Sequence, residues 1–77
     1  MSNVQLTSKE LLIIQLICKQ LTSDEIAVTL RLSPGTIENY KRKIQKKVGA
    51  KNVVGIAIYA WANGLIERGT INQARQI

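Results

Sequence analysis

Histidine is absent from this chain of 77 residues, and cysteine occurs once, at Cys18. Without histidine, neither Ser-His-Asp nor Cys-His catalysis is available, and the common zinc-ligand sets cannot be assembled. A single cysteine excludes an internal disulfide bond and fits a reducing compartment such as the cytoplasm. The composition therefore predicts a cytoplasmic protein that is not an enzyme and that binds no metal or cofactor.

Long apolar runs and secretion signals are missing as well. No apolar stretch reaches the roughly 18 residues that a transmembrane helix needs, so no membrane-spanning segment is predicted and a membrane is not the favoured partner. The chain begins Met-Ser-Asn-Val-Gln, which lacks the basic and apolar regions of a secretory signal. Hydrophobic residues nevertheless make up 45% of the chain, which suits one small domain with a single core.

Acidic residues are scarce. The 11 lysines and arginines outnumber the 5 aspartates and glutamates, which gives a net charge of +6. This imbalance favours a polyanionic partner, nucleic acid before an anionic membrane surface. Six cations lie close together with no acid among them: Lys41, Arg42, Lys43, Lys46, Lys47 and Lys51. Like charges four residues apart repel one another on a helix, so this cluster favours a phosphate partner over the alternative, a merely solvated face.

The first two of four predicted helices begin with a capping box, in which two side chains each satisfy the other residue's backbone N–H. Thr7 and Glu10 have this spacing, and Thr22 and Glu25 repeat it. Helical spacing predicts a buried stripe in the first helix: Ile13, Ile14, Ile17 and Leu21. Three leucines lie off this stripe: Leu11, Leu12 and Leu16. We expect them to be ordinary core packing, with a docking face for a second domain or subunit as the alternative.

Ser33 and Pro34 begin the third helix, because serine is a good N-cap and proline at the first helical position loses no hydrogen bond. About three residues, 31–33, connect it to the second helix, a length typical of a helix-turn-helix. The third helix is predicted over 34–48 with Gly49 as its C-cap, and Asn52 caps a fourth, apolar helix over 53–63. The predicted fold is therefore all-α, a four-helix helix-turn-helix domain without a wing.

A helical projection divides the third helix into two faces. The core stripe contains Ile37, Tyr40, Ile44 and Val48. The opposite face contains Gly35, Asn39, Arg42 and Lys46, flanked by Glu38 and Lys43. Arginine recognises guanine, asparagine recognises adenine, and glutamate accepts a hydrogen bond from the cytosine amino group. This pattern predicts a helix that enters the major groove of DNA, with base contacts from Glu38, Asn39 and Arg42.

Phosphate contacts are expected from the edges of this footprint, where cations, hydroxyls and helix N-termini meet the DNA backbone. The predicted contacts are Thr22, Ser23, Ser33, Thr36, Tyr40, Lys43, Lys46, Lys47 and Lys51. For Tyr40 we expect two roles, with the ring in the core and the hydroxyl at a phosphate.

Residues spread over nearly the whole chain carry a family resemblance. They are Leu6-Thr7, Glu10, Ile13-Ile14, Leu21-Thr22-Ser23, Glu25-Ile26-Ala27, Leu30, Leu32-Ser33, Thr36-Ile37, Lys46-Lys47-Val48-Gly49 and Asn52. Together, at these spacings, they resemble the LuxR/GerE-type helix-turn-helix domain over residues 6–66. Residues 1–5 are then expected to be a disordered segment, and residues 67–77 a polar tail.

The resemblance implies a DNA-binding unit that is commonly the C-terminal effector half of a bacterial two-component response regulator. It also implies a homodimer on double-stranded DNA with two half-sites, formed through the fourth helix. The candidate dimer contacts are Val54, Ala57, Ile58 and Trp61. In such domains the base-contacting positions correspond to Glu38, Asn39 and Arg42. Two positions depart from the family pattern: Gln20 replaces the usual glycine after the first helix, and Tyr40 the usual histidine of the recognition helix.

Several alternatives stay open. The chain contains no receiver domain. We favour an effector domain excised from a longer protein over a small self-standing regulator. RNA polymerase is a further candidate partner. Region four of a sigma factor shares the helix-turn-helix, although the fourth helix after Gly49 argues against it. A basic module for acidic proteins or anionic lipid would need an exposed apolar face beside the charge, and the third helix commits its apolar residues to the core.

Overall fold

The computed structural model describes residues 4–66, and four α-helices make up most of this part of the chain. They are α1 (Ser8–Cys18), α2 (Ser23–Leu30), α3 (Pro34–Val48) and α4 (Val53–Ala62). No strand occurs between residues 4 and 66, which confirms the all-α, four-helix prediction. Of the predicted N-terminal segment 1–5, residues 1–3 lie outside the described part, and the predicted tail 67–77 lies entirely outside it.

Both predicted capping boxes are present. In the first, Glu10 N donates to Thr7 Oγ1 at 3.1 Å and Thr7 N donates to Glu10 Oε1 at 2.9 Å. In the second, Glu25 N donates to Thr22 Oγ1 at 3.2 Å and Thr22 N donates to Glu25 Oε1 at 2.8 Å. Each box satisfies two backbone N–H groups that a helix N-terminus would otherwise leave without an internal partner, so α1 and α2 begin at defined residues.

Local signals also fix both ends of α3. Ser33 Oγ accepts a hydrogen bond from Thr36 N at 3.1 Å, and Pro34 occupies the first turn. Gly49 ends the helix in the left-handed conformation, at φ 73°, where the lack of a side chain removes the usual steric cost. Residues 31–33 alone separate α2 from α3, as predicted for a helix-turn-helix.

The core is built mainly from isoleucine. Six isoleucines contributed by all four helices have no exposed surface: Ile13, Ile14, Ile26, Ile37, Ile44 and Ile56. Leu16, which lies off the predicted stripe of α1, is buried with only 9% of its surface exposed, as the expectation of ordinary core packing requires. The physical reason is tertiary: α1 packs against α2, α3 and α4, so it buries more than one face. Leu12 stays 41% exposed.

A close approach at Gly55 places α4 against the segment that follows α3. A Cβ atom built on Gly55 would lie 2.8 Å from Ala50 Cβ, closer than two carbon atoms can pack without a shift. Asn52 Oδ1 accepts a hydrogen bond from Gly55 N at 3.1 Å and caps the same helix. Asn52 and Gly55 together fix the position of α4 beside the end of α3.

Candidate nucleic-acid interface

Helix α3 separates a buried face from an exposed, basic face. Ile37 and Ile44 have no exposed surface, and Tyr40 and Val48 pack against the core beside them. The opposite face is exposed and consists of Gly35, Glu38, Asn39, Arg42, Lys43 and Lys46. The division predicted by the helical projection is therefore confirmed, while the DNA contacts assigned to these residues stay predictions.

The exposed face borders two open grooves. The larger has a volume of about 500 Å³ and is lined by Arg42, Lys43, Gln45, Lys46 and Ala50. The smaller, of about 100 Å³, is lined by Thr36, Asn39, Tyr40 and Lys43. Three of the side chains along these grooves carry positive charge, so the surface attracts an anionic partner from solution.

The two predicted base readers nearest the middle of α3 contact each other. Arg42 Nη2 donates a hydrogen bond to Asn39 Oδ1, one helical turn away, and both side chains are exposed. Because each retains donors that point away from this bond, the pair presents amide and guanidinium groups side by side on the outer face. Such donors match the two acceptors of guanine, O6 and N7, and the N7 acceptor of adenine.

A second set of contacts joins α2 to α3. Ser23 Oγ donates to Glu38 Oε2, and Lys41 Nζ donates to Ser23 Oγ at 2.6 Å. The sequence interpretation treated Ser23 and Glu38 as separate DNA contacts and gave Lys41 no individual role. On the helical projection Lys41 falls next to Ile37, at the edge of the core stripe, which is a position that faces a neighbouring helix. This position on the projection is the sequence signal that could have identified Lys41 as a contact to α2.

Several predicted phosphate contacts lie at the start of the two helices of the motif. Thr22 and Ser33 are exposed, and Thr36 is half-buried. Ser33 Oγ and Thr36 Oγ1 are 2.9 Å apart and share a hydrogen bond, while Thr22 Oγ1 accepts from Glu25 N. These hydroxyls keep further hydrogen-bonding capacity, because each oxygen carries one proton and two lone pairs.

Lys47 has a different environment from the other cations of α3. Its Nζ lies 2.8 Å from Glu10 Oε1 and 3.1 Å from the backbone oxygen of Gln5, and its side chain is one-third exposed. Glu10 is 1% exposed. Burial alone would raise the pKa of Glu10, but hydrogen bonds from Lys47 and Thr7 outweigh burial and hold the pKa below its ordinary value. In the structure Lys47 therefore joins α3 to α1, and its contact with phosphate stays a prediction.

Lys43, Lys46 and Lys51 are exposed along the end of α3 and the segment after it. Tyr40 is half-buried, with its ring against the core as expected. The contact of its hydroxyl with a phosphate, like those of the three lysines, stays a prediction.

Helix α4 exposes large apolar side chains on one face. Val54 is 65% exposed, Ile58 63% and Trp61 49%, at the i, i+4 and i+7 spacing that aligns them along a helix. Ala57 is half-buried beside them and packs against the core. This surface coincides with the predicted dimer contacts.

Residues 4–66 hold no cluster of three or more histidine, cysteine, aspartate or glutamate side chains that could bind a metal ion. In the same part of the chain, no helix is both long and apolar enough to cross a membrane.

Cys18 is buried, and burial raises the pKa of its thiol. The thiol therefore stays protonated and poorly nucleophilic at neutral pH.

Comparison with known proteins places this geometry in a family. Residues 4–60 match the family described as "Bacterial regulatory proteins, luxR family". The regulatory protein SdiA of Escherichia coli K12 is 44% identical over 45 residues, which are 58% of this chain and 19% of SdiA. The solved structure of the transcription factor GerE has the same fold, with a TM-score of 0.76 at 22% identity over 80% of this chain and 92% of GerE. The chain belongs to the LuxR family of bacterial regulatory proteins and forms a DNA-binding domain of the LuxR/GerE type.

Proposed function

We propose that this domain is a sequence-specific transcription regulator that lays α3 into the major groove of double-stranded DNA. The observation that carries the proposal is the division of α3 into two faces. Ile37 and Ile44 anchor one face in the core without any exposed surface, while Asn39 and Arg42 lie exposed on the other. A helix held in this way presents its outer side chains to a groove about 12 Å wide without disturbing the fold.

Each proposed base reader has a chemical preference. Arg42 carries a planar fork of donors that matches O6 and N7 of guanine, and Asn39 matches the N6 and N7 edge of adenine. Glu38, an acceptor, fits the amino group of cytosine. The three side chains lie within about one turn of α3, so they face two or three neighbouring base pairs.

The DNA backbone is contacted around this centre. The proposed phosphate ligands are Thr22, Ser23, Ser33, Thr36, Tyr40, Lys43, Lys46, Lys47 and Lys51. Lys43, Lys46 and Lys51 are exposed cations and contribute most to the salt dependence of binding. Lys47 contributes less, because its ammonium group is bound to Glu10.

We further propose that two copies pair through α4 on DNA. Val54, Ile58 and Trp61 form an exposed apolar stripe, and a second copy would remove that stripe from water. A two-fold symmetric pair places two α3 helices about one DNA turn apart, which corresponds to a pseudo-palindromic site with half-sites about 10 base pairs apart.

The domain is proposed to act within a longer cytoplasmic regulator without enzymatic activity of its own. The support is that the chain spans 19% of the length of SdiA, to which it is similar. A receiver domain of a two-component system as a further part of that protein is a prediction that rests on the family resemblance. RNA polymerase is a further candidate partner.

The sigma-factor alternative is weakened by the match to the luxR family over residues 4–60. The lipid-binding alternative is weakened by the burial of Ile37 and Ile44, because α3 keeps no apolar stripe beside its cations.

Selection of binding sites from random duplex DNA tests the proposal. We expect enrichment of one pseudo-palindromic sequence and a stoichiometry of two chains per duplex on that sequence. A control duplex with one half-site scrambled should bind at least tenfold more weakly, since a dimer gains affinity from holding both halves. Failure to enrich any sequence over several rounds would contradict the proposed function.

A further inference from the structure

A hydrogen-bonded chain of three side chains joins the first turn of α2 to the exposed face of α3. Ser23 Oγ donates its proton to Glu38 Oε2, and Lys41 Nζ donates to Ser23 Oγ at 2.6 Å. Ser23 and Lys41 are half-buried, and Glu38 is exposed. The proton that Ser23 could offer to a DNA phosphate is thus already held by a carboxylate of the same molecule.

A phosphate oxygen and the Glu38 carboxylate compete for the same donor. A serine hydroxyl carries a single proton, so it can donate to one of these anions at a time. The carboxylate also repels a phosphate that approaches Ser23, because both are negatively charged. DNA can place a phosphate at Ser23 only after Glu38 has moved away.

We propose that Glu38 determines specificity by coupling base recognition to backbone anchoring, an inference that rests on the proposed function. On duplexes of unrelated sequence the carboxylate stays on Ser23 and keeps a phosphate from that hydroxyl. On a site that presents a cytosine amino group to α3, the carboxylate moves to this donor. The Ser23 proton then becomes available to the adjacent phosphate, and Lys41, which donates to Ser23 Oγ, adds its positive charge beside it. Glu38 discriminates by weakening binding to the wrong sequences as well as by a contact with the right one.

Replacement by alanine tests this role, because the amide oxygen of a glutamine could still accept from Ser23. Glu38→Ala should tighten binding to random-sequence duplex about fivefold more than the control variant Asp24→Ala does. This factor is the order expected for one released hydrogen bond. Binding to the selected site should weaken, so the ratio of the two affinities falls. The matched control is Asp24→Ala, which removes the same charge from an exposed position next to Ser23. Alanine is a good helix former at both positions, which favours retention of the fold.

A double variant separates the contact from a general effect of charge. In the Ser23→Ala background, Glu38→Ala should give no tighter binding to random duplex than Asp24→Ala gives in that background. The inference is overturned if Glu38→Ala and Asp24→Ala tighten random binding equally in the otherwise natural chain. It is overturned as well if the extra gain survives in the Ser23→Ala background. Either of these two results would overturn the role of Glu38 and leave the proposed function intact. If the natural chain binds no duplex DNA, both the proposed function and the role of Glu38 are overturned.

Discussion

Lys47 Nζ lies 2.8 Å from Glu10 Oε1 and joins the last turn of α3 to the first turn of α1. Glu10 also accepts from Thr7 N, so one buried carboxylate serves both a helix cap and a contact between helices. The helix proposed to enter the groove is therefore fixed at its C-terminal end by a residue distant in sequence.

Removal of Lys47 should lower stability as well as DNA affinity. Lys47→Ala leaves Glu10 buried with fewer donors, which should reduce the free energy of unfolding by about 2 kcal/mol. Urea denaturation measures this change. Lys46→Ala is the matched control, because Lys46 is an exposed neighbour, and it should lower DNA affinity with little change in stability. Equal stability of the two variants would contradict the role assigned to the Glu10–Lys47 pair.

Glu10 should also make the fold sensitive to acid. Its pKa is lowered from 4.5, so its contribution to stability is complete above that pH and is lost as the pH falls through the lower pKa of the folded state. Urea denaturation at pH 7, 5 and 3 should show this loss in the natural chain. Glu10→Gln should be less stable at pH 7 and should lose less between pH 5 and 3. An unchanged acid dependence in that variant would show that other carboxylates cause the loss.

Gln20 stands in a conformation that favours glycine, at φ 69°. A side chain in this region costs about 1 kcal/mol, so Gln20→Gly should raise the free energy of unfolding by about that amount. Lys19→Gly is the control, since Lys19 has φ −83° and gains nothing from glycine. Thermal denaturation distinguishes the two variants, and destabilisation by Gln20→Gly would contradict the backbone assignment.

Gly35 gives a variant that separates folding from binding. A Cβ on Gly35 would meet Ser33 Oγ at 3.9 Å, an ordinary contact, so Gly35→Ala should fold with stability equal to or slightly above the natural chain. The same methyl group lies on the exposed face of α3, where the proposed function requires close approach to the duplex. DNA affinity should therefore fall while stability does not. Unchanged affinity would mean that the start of α3 does not approach the DNA.

The proposed dimer surface is tested by a charge on its exposed stripe. Ile58 is 63% exposed, so Ile58→Glu should leave the monomer folded and reduce the stoichiometry on the selected site from two chains to one. Val28→Glu places the same charge on an exposed apolar residue of α2 and should keep two chains per site. Analytical ultracentrifugation of the protein–DNA complex gives the stoichiometry. Two chains bound by the Ile58→Glu variant would contradict pairing through α4.

Local signals account for most of what the sequence predicted correctly. Capping boxes, N-caps and the glycine C-cap act within three or four residues, so the starts of α1 to α3 and the end of α3 follow from spacing alone. The predicted buried stripe of the first helix reaches Leu21, but α1 ends at Cys18 and Leu21 packs against the core from the turn that follows. The two faces of α3 follow from its period of 3.6 residues. Burial of Leu16 depends instead on helices that pack around α1, which periodicity within α1 does not reveal.

The long-range contacts of the candidate interface could not be predicted in the same way. Glu10 and Lys47 are 37 residues apart, and Ser23 and Glu38 are 15 apart. Their pairing depends on the crossing of α1, α2 and α3, which helical spacing alone does not determine. The helical projection of α3 predicted the direction of each side chain but not the residue of another helix that it contacts. It therefore did not reveal that Ser23 and Glu38, both predicted DNA contacts, are hydrogen-bonded to each other.

The outward face of α3 is the central claim, and Arg42 tests it most directly. Affinities of Arg42→Ala and Lys46→Ala should be measured for the selected site, its single-base variants and random duplex. Arg42→Ala should cost about 1–3 kcal/mol on the selected site and flatten the preference at one base pair, whereas Lys46→Ala should weaken all duplexes alike and reduce the salt slope by about one. An Arg42→Ala protein with unchanged affinity and unchanged base preference would contradict the account.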